Sequence, residues 1–343
     1  MWEDSNGGRQ SYIEFLKGLS ILLIVIFHID LCYIVSPRFF LSKLTFHFSF
    51  ATRVFFFCSG FGLYYSLVQN PLRWTDFIRK RYLKVYLPYI LIVFVCALVP
   101  YTYAYEDRFS ALMSHVFLYK MFIPKYVNSF GPFWYMSTIF EFYLFFYLIV
   151  RMKNKMNNNR LFLIIWIVIN LVWGTLAWLF PKFEGFFWNE YGNLYATFFF
   201  FHGWIFALGM LIAEMLYQNK KVFVSFSHLV IGIVVMALFY RLMSDDMIYL
   251  KEIPRAVLFM CFFTAAWVVC GDTIRRFIVW LGSFSFEWYL THMLILEGLY
   301  RLIKPVGIAK EVVFTGMGIV ITAFAAWLYH QFVKKVLFHK IRM

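Results

Sequence analysis

The sequence predicts an all-α integral membrane protein of about ten transmembrane helices with both termini in the cytoplasm. Three observations predict it. Of 343 residues, 62% are hydrophobic and only 15% are charged, against about 45–50% apolar and about 25% charged in soluble domains. Apolar runs of about twenty residues, long enough to cross a bilayer, recur along the chain. Lys and Arg gather between alternate runs, and that bias sets orientation.

The runs fall at 12–34, 48–69, 86–104, 131–150, 161–180, 194–217, 223–243, 254–271, 278–299 and 313–333. The first is too long for a signal-peptide core, and no small-residue cleavage site follows it. The second carries Cys58-Ser59-Gly60-Phe61-Gly62, and small residues let membrane helices approach closely, the reading given to both glycines. A basic loop with Arg73, Arg79, Lys80, Arg81 and Lys84 precedes the third run; Glu106, Asp107 and Arg108 follow it. Segment 109–123 mixes Leu, Met, Phe and Tyr with Ser114, His115 and Lys120, the pattern of an amphipathic helix lying in the interface. The fourth run opens on Gly131-Pro132-Phe133-Trp134-Tyr135 and contains Glu141, which must face protein or water rather than lipid.

Arg151, Lys153, Lys155 and Arg160 separate the fourth and fifth runs in an Asn-rich turn. Lys182, Glu184 and Glu190 follow the fifth, Lys220 and Lys221 the sixth. Asp245, Asp246, Lys251 and Glu252 lie between the seventh and eighth, Arg275 and Arg276 before the ninth. The tail adds Lys334, Lys335, Lys340 and Arg342. On average basic connections alternate with mixed ones, although the outward connections still hold Lys120, Lys125, Arg301, Lys304 and Lys310, and that averaged bias places both termini inside. The whole chain, 1–343, reads as one polytopic domain.

The net charge of +14 is dispersed in short clusters between apolar runs. That is a topology signal rather than a nucleic-acid surface, so no nucleic-acid partner is expected. The five cysteines, Cys32, Cys58, Cys96, Cys261 and Cys270, fall in apolar segments without framework or metal-ligand spacing. They read as small core residues, and no metal is assigned.

The first run holds the most informative spacing. His28 lies eleven positions after Lys17; at about 100° per residue both fall on one helix face, roughly 16 Å apart along the axis. Glu14 and Gly18 share that stripe. Glu14 and Lys17 sit near the predicted helix start, where boundary charges snorkel. A carboxylate, an ammonium and an imidazole aligned in a membrane helix nevertheless point to a functional site. An imidazole titrates near neutrality and can take the proton from an attacking hydroxyl, or carry an acyl group itself. Arg79, Arg81 and Lys84 form either a positive-inside loop or a clamp for a ligand with several phosphates, such as coenzyme A. Ser59 lacks a Gly-x-Ser-x-Gly elbow and reads as a packing or substrate-orienting hydroxyl. Trp134 and Tyr135 serve as interfacial anchors. Tyr289 and His292, three apart on one helix face, are candidates for a polar wall.

Together these segments resemble acyltransferase family 3, a group of multi-pass membrane proteins. Ile13-Glu14-Phe15-Leu16-Lys17-Gly18 with His28 looks like its acidic-x-x-basic-Gly opening and basic-x10-His pair. Phe56-Phe57-Cys58-Ser59-Gly60-Phe61 looks like its second-helix motif, and Arg79-Lys80-Arg81 with Pro88 like its Arg-x-Arg loop and following proline. Trp134 matches its fourth-helix Trp, and Ser285-Phe286-Glu287-Trp288-Tyr289-Leu290-Thr291-His292 its Ser-Tyr-x-x-Tyr-Leu-x-His segment. The likeness runs over roughly 12–300 in matching order. Lys17 stands where many members carry Arg, and Phe286 where Tyr is common; the Trp134–Glu141 spacing departs from the family's Trp-Ser-Leu-x-x-Glu form, so no role passes to Glu141.

The resemblance implies the stand-alone form, without an appended hydrolase-like domain, in the bacterial cytoplasmic membrane. It implies a transferase with no permanently bound cofactor that moves an acyl group, often acetyl, from cytoplasmic acyl-CoA to a hydroxyl of a carbohydrate acceptor. Lys17 and His28, with Glu14 beside them, would then act in transfer, and Arg79 and Arg81 in donor handling. Ser59, Trp134, Tyr289 and His292 would line the substrate path. The alternatives are a non-enzymatic transporter or flippase of a lipid-linked glycan, which would also need intramembrane charges, and an envelope scaffold, which would not need the aligned stripe. Paired interrupted helices and repeat halves, the usual marks of a transporter, are not apparent in the sequence.

Overall fold

The computed structural model describes residues 5–34, 45, 47–102, 107–127, 129–179, 197–218, 226–242 and 251–337. Regular structure among them is entirely helical. The long elements are α1 (Ser5–Tyr33), α2 (Thr52–Gln69), α3 (Trp74–Arg81), α4 (Leu87–Leu98), α5 (Arg108–Val116), α6 (Trp134–Met156) and α7 (Asn159–Leu179). They continue as α8 (Phe199–Tyr217), α9 (Phe226–Leu242), α10 (Glu252–Val269), α11 (Asp272–Gly282), α12 (Ser285–Ile303) and α13 (Ile308–Phe332). Among the described residues, seven helical segments are long and apolar enough to cross a membrane: Ser11–Tyr33, Trp74–Leu98, Trp134–Met156, Asn159–Leu176, Phe199–Tyr217, Glu252–Val269 and Ile308–Val336. Helices α2, α9 and α12 occupy the other three predicted runs. The charges at Glu106, Lys182, Glu184, Glu190, Lys220, Lys221, Asp245, Asp246, Lys340 and Arg342 lie outside the described residues.

Three local expectations are corrected. The basic segment before the third run is not a loop. Helix α3 passes through a π turn, Tyr82–Tyr86, into α4, an irregularity common where function bends a helix. The ninth run is two helices, because the chain breaks at Ser283-Phe284 between α11 and α12. Segment 109–123 is not one interfacial helix. Only α5 and a short turn, Lys120–Phe122, are helical, and Ser114, His115 and Lys120 are buried in protein. Backbone carbonyls and hydroxyls there satisfy polar groups that the interface would otherwise solvate.

Close helix contacts follow from small residues, as expected where lipid gives no hydrophobic drive for helix association. A Cβ on Gly60 would stand 2.1 Å from the Phe206 carbonyl oxygen, and one on Gly209 2.2 Å from that of Phe57, so α2 and α8 touch backbone to backbone. Aromatic rings fill the space beside this seam; Phe142 stacks on Phe206 with centroids 4.2 Å apart. Lys153, read from sequence as part of a polar turn, is instead buried against Glu214 at 2.5 Å and ties α6 to α8. Glu141 accepts from the Phe199 backbone N–H at 2.8 Å. It thus caps the first turn of α8, where an orphan amide has no water to meet.

Candidate functional site

Helix α1 carries the predicted stripe, and its first half is pinned by a close crossing with α11. A Cβ on Gly18 would lie 2.0 Å from the Ile278 carbonyl oxygen, and one on Gly282 1.9 Å from that of Glu14. Only glycine admits this approach. Lys17 Nζ donates to Glu14 Oε1 at 2.9 Å, so its charge is matched on its own helix.

Lys17 opens onto a cavity of about 340 Å³. Ser59, Arg81, Tyr135, Phe286 and Tyr289 also line it. The Arg81 guanidinium stands 5.3 Å from the Phe77 ring and 5.9 Å from the Tyr143 ring, a setting suited to its planar, weakly hydrated cation. The Ser59 and Tyr135 hydroxyls are 3.2 Å apart. Gly62, read from sequence as a packing glycine, faces this cavity instead; a Cβ there would meet nothing within 4 Å. Two residues turn a helix by about 200°, so Gly60 and Gly62 serve opposite faces of α2.

His28 lines a second cavity of about 250 Å³ with Phe27, Ser49, Thr52, Arg53, Pro132, Trp134 and Thr197. Thr52 lines both cavities. The two histidines meet: His28 Nδ1 lies 3.2 Å from His292 Nε2. His292 is buried, and its Nδ1 is 2.8 Å from the Tyr289 carbonyl oxygen and 3.2 Å from that of Trp288. Carbonyls only accept, so Nδ1 of His292 carries the hydrogen. In the neutral pair, His292 Nε2 is then an acceptor, and His28 Nδ1–H donates to it.

The second cavity also contains a cation that sequence reading passed over. Arg53 is forked onto Glu252, with Nε 2.5 Å from Oε1 and Nη2 3.0 Å from Oε2. Glu252, read as a loop charge, is buried. His202 Nδ1 lies 3.7 Å from the same carboxylate and its ring stacks on Phe56. The signal was an Arg in an apolar run; its partner, 199 positions away, is not visible by spacing.

The segment before α6 is held from behind. Lys120 Nζ donates to the backbone oxygens of Ser129 at 3.3 Å and Gly131 at 3.1 Å. Burial pushes this ammonium down to about 7. His115 contacts the Tyr89 hydroxyl at 2.8 Å and the Ser129 hydroxyl at 2.9 Å. Burial, then the neighbouring Lys120, holds it well below the usual imidazole range. These contacts fix the turn at Phe130 and Gly131, whose φ values are 57° and 121°, and so fix Pro132 and Trp134 in the cavity wall.

The structure therefore brings together Lys17, Ser59, Arg81 and Tyr289 around one cavity, and His28 and Trp134 around the other. His292 lines neither and touches His28. Arg79 and Lys84 are exposed and line neither cavity. Among the described residues, no group of three or more His, Cys, Asp or Glu side chains is placed to hold a metal ion.

No curated protein and no solved structure matches the chain. The family model described as an acyltransferase domain matches residues 10–330, a span that includes every residue of both cavities. The chain therefore belongs to acyltransferase family 3.

Proposed function

We propose that the chain is an acyl-CoA-dependent O-acyltransferase of the bacterial cytoplasmic membrane, which moves an acyl group such as acetyl to a hydroxyl of a cell-surface glycan or its precursor. One observation carries the reading: a cavity with a ring-flanked arginine adjoins a cavity lined by a histidine that is paired with a second, buried histidine. The Lys/Arg bias puts the Arg81 end of α3 on the cytoplasmic side, where acyl-CoA is made. Arg81 and Lys17 meet the donor's anionic end and polar arm, with Arg79 and Lys84 outside the mouth adding long-range attraction. The acceptor hydroxyl sits in the His28 cavity beside Trp134.

His28 Nε2 takes the hydroxyl proton as that oxygen attacks the acyl carbon. The C–S bond breaks, and the imidazolium returns the proton to the thiolate sulfur, which leaves as free CoA. His292 positions His28 by holding Nδ1–H. Glu14 keeps Lys17 matched in charge, so a polar arm can pass without an unpaired cation in the membrane.

The test is twofold. A strain lacking the protein should lose an ester from its surface glycan, measured by mass before and after mild alkali. Purified protein in nanodiscs should consume acyl-CoA thioester only when acceptor is present. Movement of an intact glycan across proteoliposomes without thioester consumption would replace this reading with a flippase.

A further inference from the structure

Among the described residues, the linings of the two cavities come together at Thr52, at Tyr135–Trp134 and at Tyr289–Pro132. Thr52 belongs to both. Tyr135 and Trp134, consecutive on α6, face one cavity each. The Tyr289 hydroxyl, in the Lys17 cavity, donates to the carbonyl of Pro132, in the His28 cavity, at 2.7 Å. The second meeting point is filled by rings: Phe56 lies 4.9 Å from Tyr135 and 6.3 Å from Trp134. The third is closed by its hydrogen bond. Among the described residues, Thr52 is the one residue shared by the two linings. It is held in place, donating its hydroxyl to the Ser49 carbonyl and accepting from Arg53 Nη1 at 3.2 Å.

We propose that Thr52 is the threshold of the transfer path and that the bulk of its side chain decides whether the acyl carbon reaches the acceptor. This rests on the acyl-transfer reading above. A donor gripped by Arg81 and Lys17 has its thioester on one side of the septum, and the base His28 is on the other. Bond formation needs the oxygen and carbon within about 3–3.5 Å. Thr52 is where a slender thioester can present its carbonyl carbon across the wall, so that the new C–O bond forms in the His28 cavity while the sulfur stays on the donor side.

The tests act on the full-length protein in nanodiscs or proteoliposomes. Thr52→Phe should bind CoA with wild-type affinity yet turn over at least about 10²-fold more slowly, the cost of roughly ångström misplacement. Thr52→Ser should keep both. Normal turnover in Thr52→Phe, or loss of CoA binding together with turnover, overturns the threshold. If the Phe variant does not fold, the block is installed afterwards. Folded Thr52→Cys is treated with alkyl methanethiosulfonates of rising size, beside wild type, whose five native cysteines report background. Turnover should fall stepwise with size in the variant alone; a flat response overturns the proposal. Thr52→Cys should also react with a membrane-impermeant thiol reagent applied to either face. Reactivity from one face only overturns the threshold even where wild type is active. A wild type that consumes no thioester overturns the acyl-transfer reading instead.

Discussion

Replacing His292 by Phe keeps a planar ring beside His28 and removes the nitrogen that stands 3.2 Å from His28 Nδ1. Two losses follow. Neutral His28 loses the acceptor that keeps its hydrogen on Nδ1, worth about 0.5–1.5 kcal/mol for a neutral bond, so fewer molecules offer the Nε2 lone pair. The imidazolium formed during transfer loses the same acceptor; a hydrogen bond to a charged group contributes about 1.5–3 kcal/mol, or about 10- to 150-fold in rate. Removing His28 forfeits all acid–base help, about 10²–10⁴-fold. Thiol release from acetyl-CoA by His292→Phe, with acceptor present, should therefore fall about 10- to 150-fold and by less than in His28→Ala. CoA affinity should hold, because His292 lines neither cavity. The double variant decides the matter. With His28 gone there is no tautomer left to set, so the pair should match His28→Ala alone. A double-variant loss equal to the product of the single losses, or an unchanged His292→Phe, would refute the coupling.

Gly62→Leu should fold normally, since its Cβ meets nothing within 4 Å, yet fill the donor cavity; isothermal titration should show CoA binding lost at an unchanged melting temperature. Arg81→Ala should weaken CoA binding more than Arg79→Ala, because only Arg81 lines the cavity, and the Arg79 effect should fade at high salt. Lys120 is pushed down to about 7 in the native state, while an unfolded lysine titrates near about 10.4. Between these values the unfolded chain binds a proton that the native loop does not, so stability of segment 119–133 should rise from about pH 7 to 10, by up to about 1.4 kcal/mol per unit. Hydrogen exchange across that range should show the slope, and Lys120→Met should abolish it.

The helical architecture was legible because length and apolar runs alone decide which segments seek the bilayer. The stripe on α1 was legible because helical period is fixed; the close approach of Gly18 to α11 was not read from the sequence, because spacing does not name the partner helix. What spacing did not reveal is which cavity each residue faces. Lys17 and His28 share a stripe yet open onto different cavities, because different helices wall the two ends of α1. Gly60 and Gly62 looked alike as small residues, although helical geometry already set them on opposite faces. Arg53–Glu252 and Lys153–Glu214 pair residues far apart in sequence, and no local pattern marks such partners. Lys120 looked like an interfacial charge because its acceptors are backbone carbonyls of a turn, which the sequence does not display.

The most direct test of the account compares wild type with His28→Ala in nanodiscs, following thiol release from acetyl-CoA and CoA affinity in the same samples. The account predicts acceptor-dependent thiol release by wild type and, in His28→Ala, equal CoA affinity with turnover reduced by about 10²–10⁴-fold. Turnover in His28→Ala equal to wild type would contradict it.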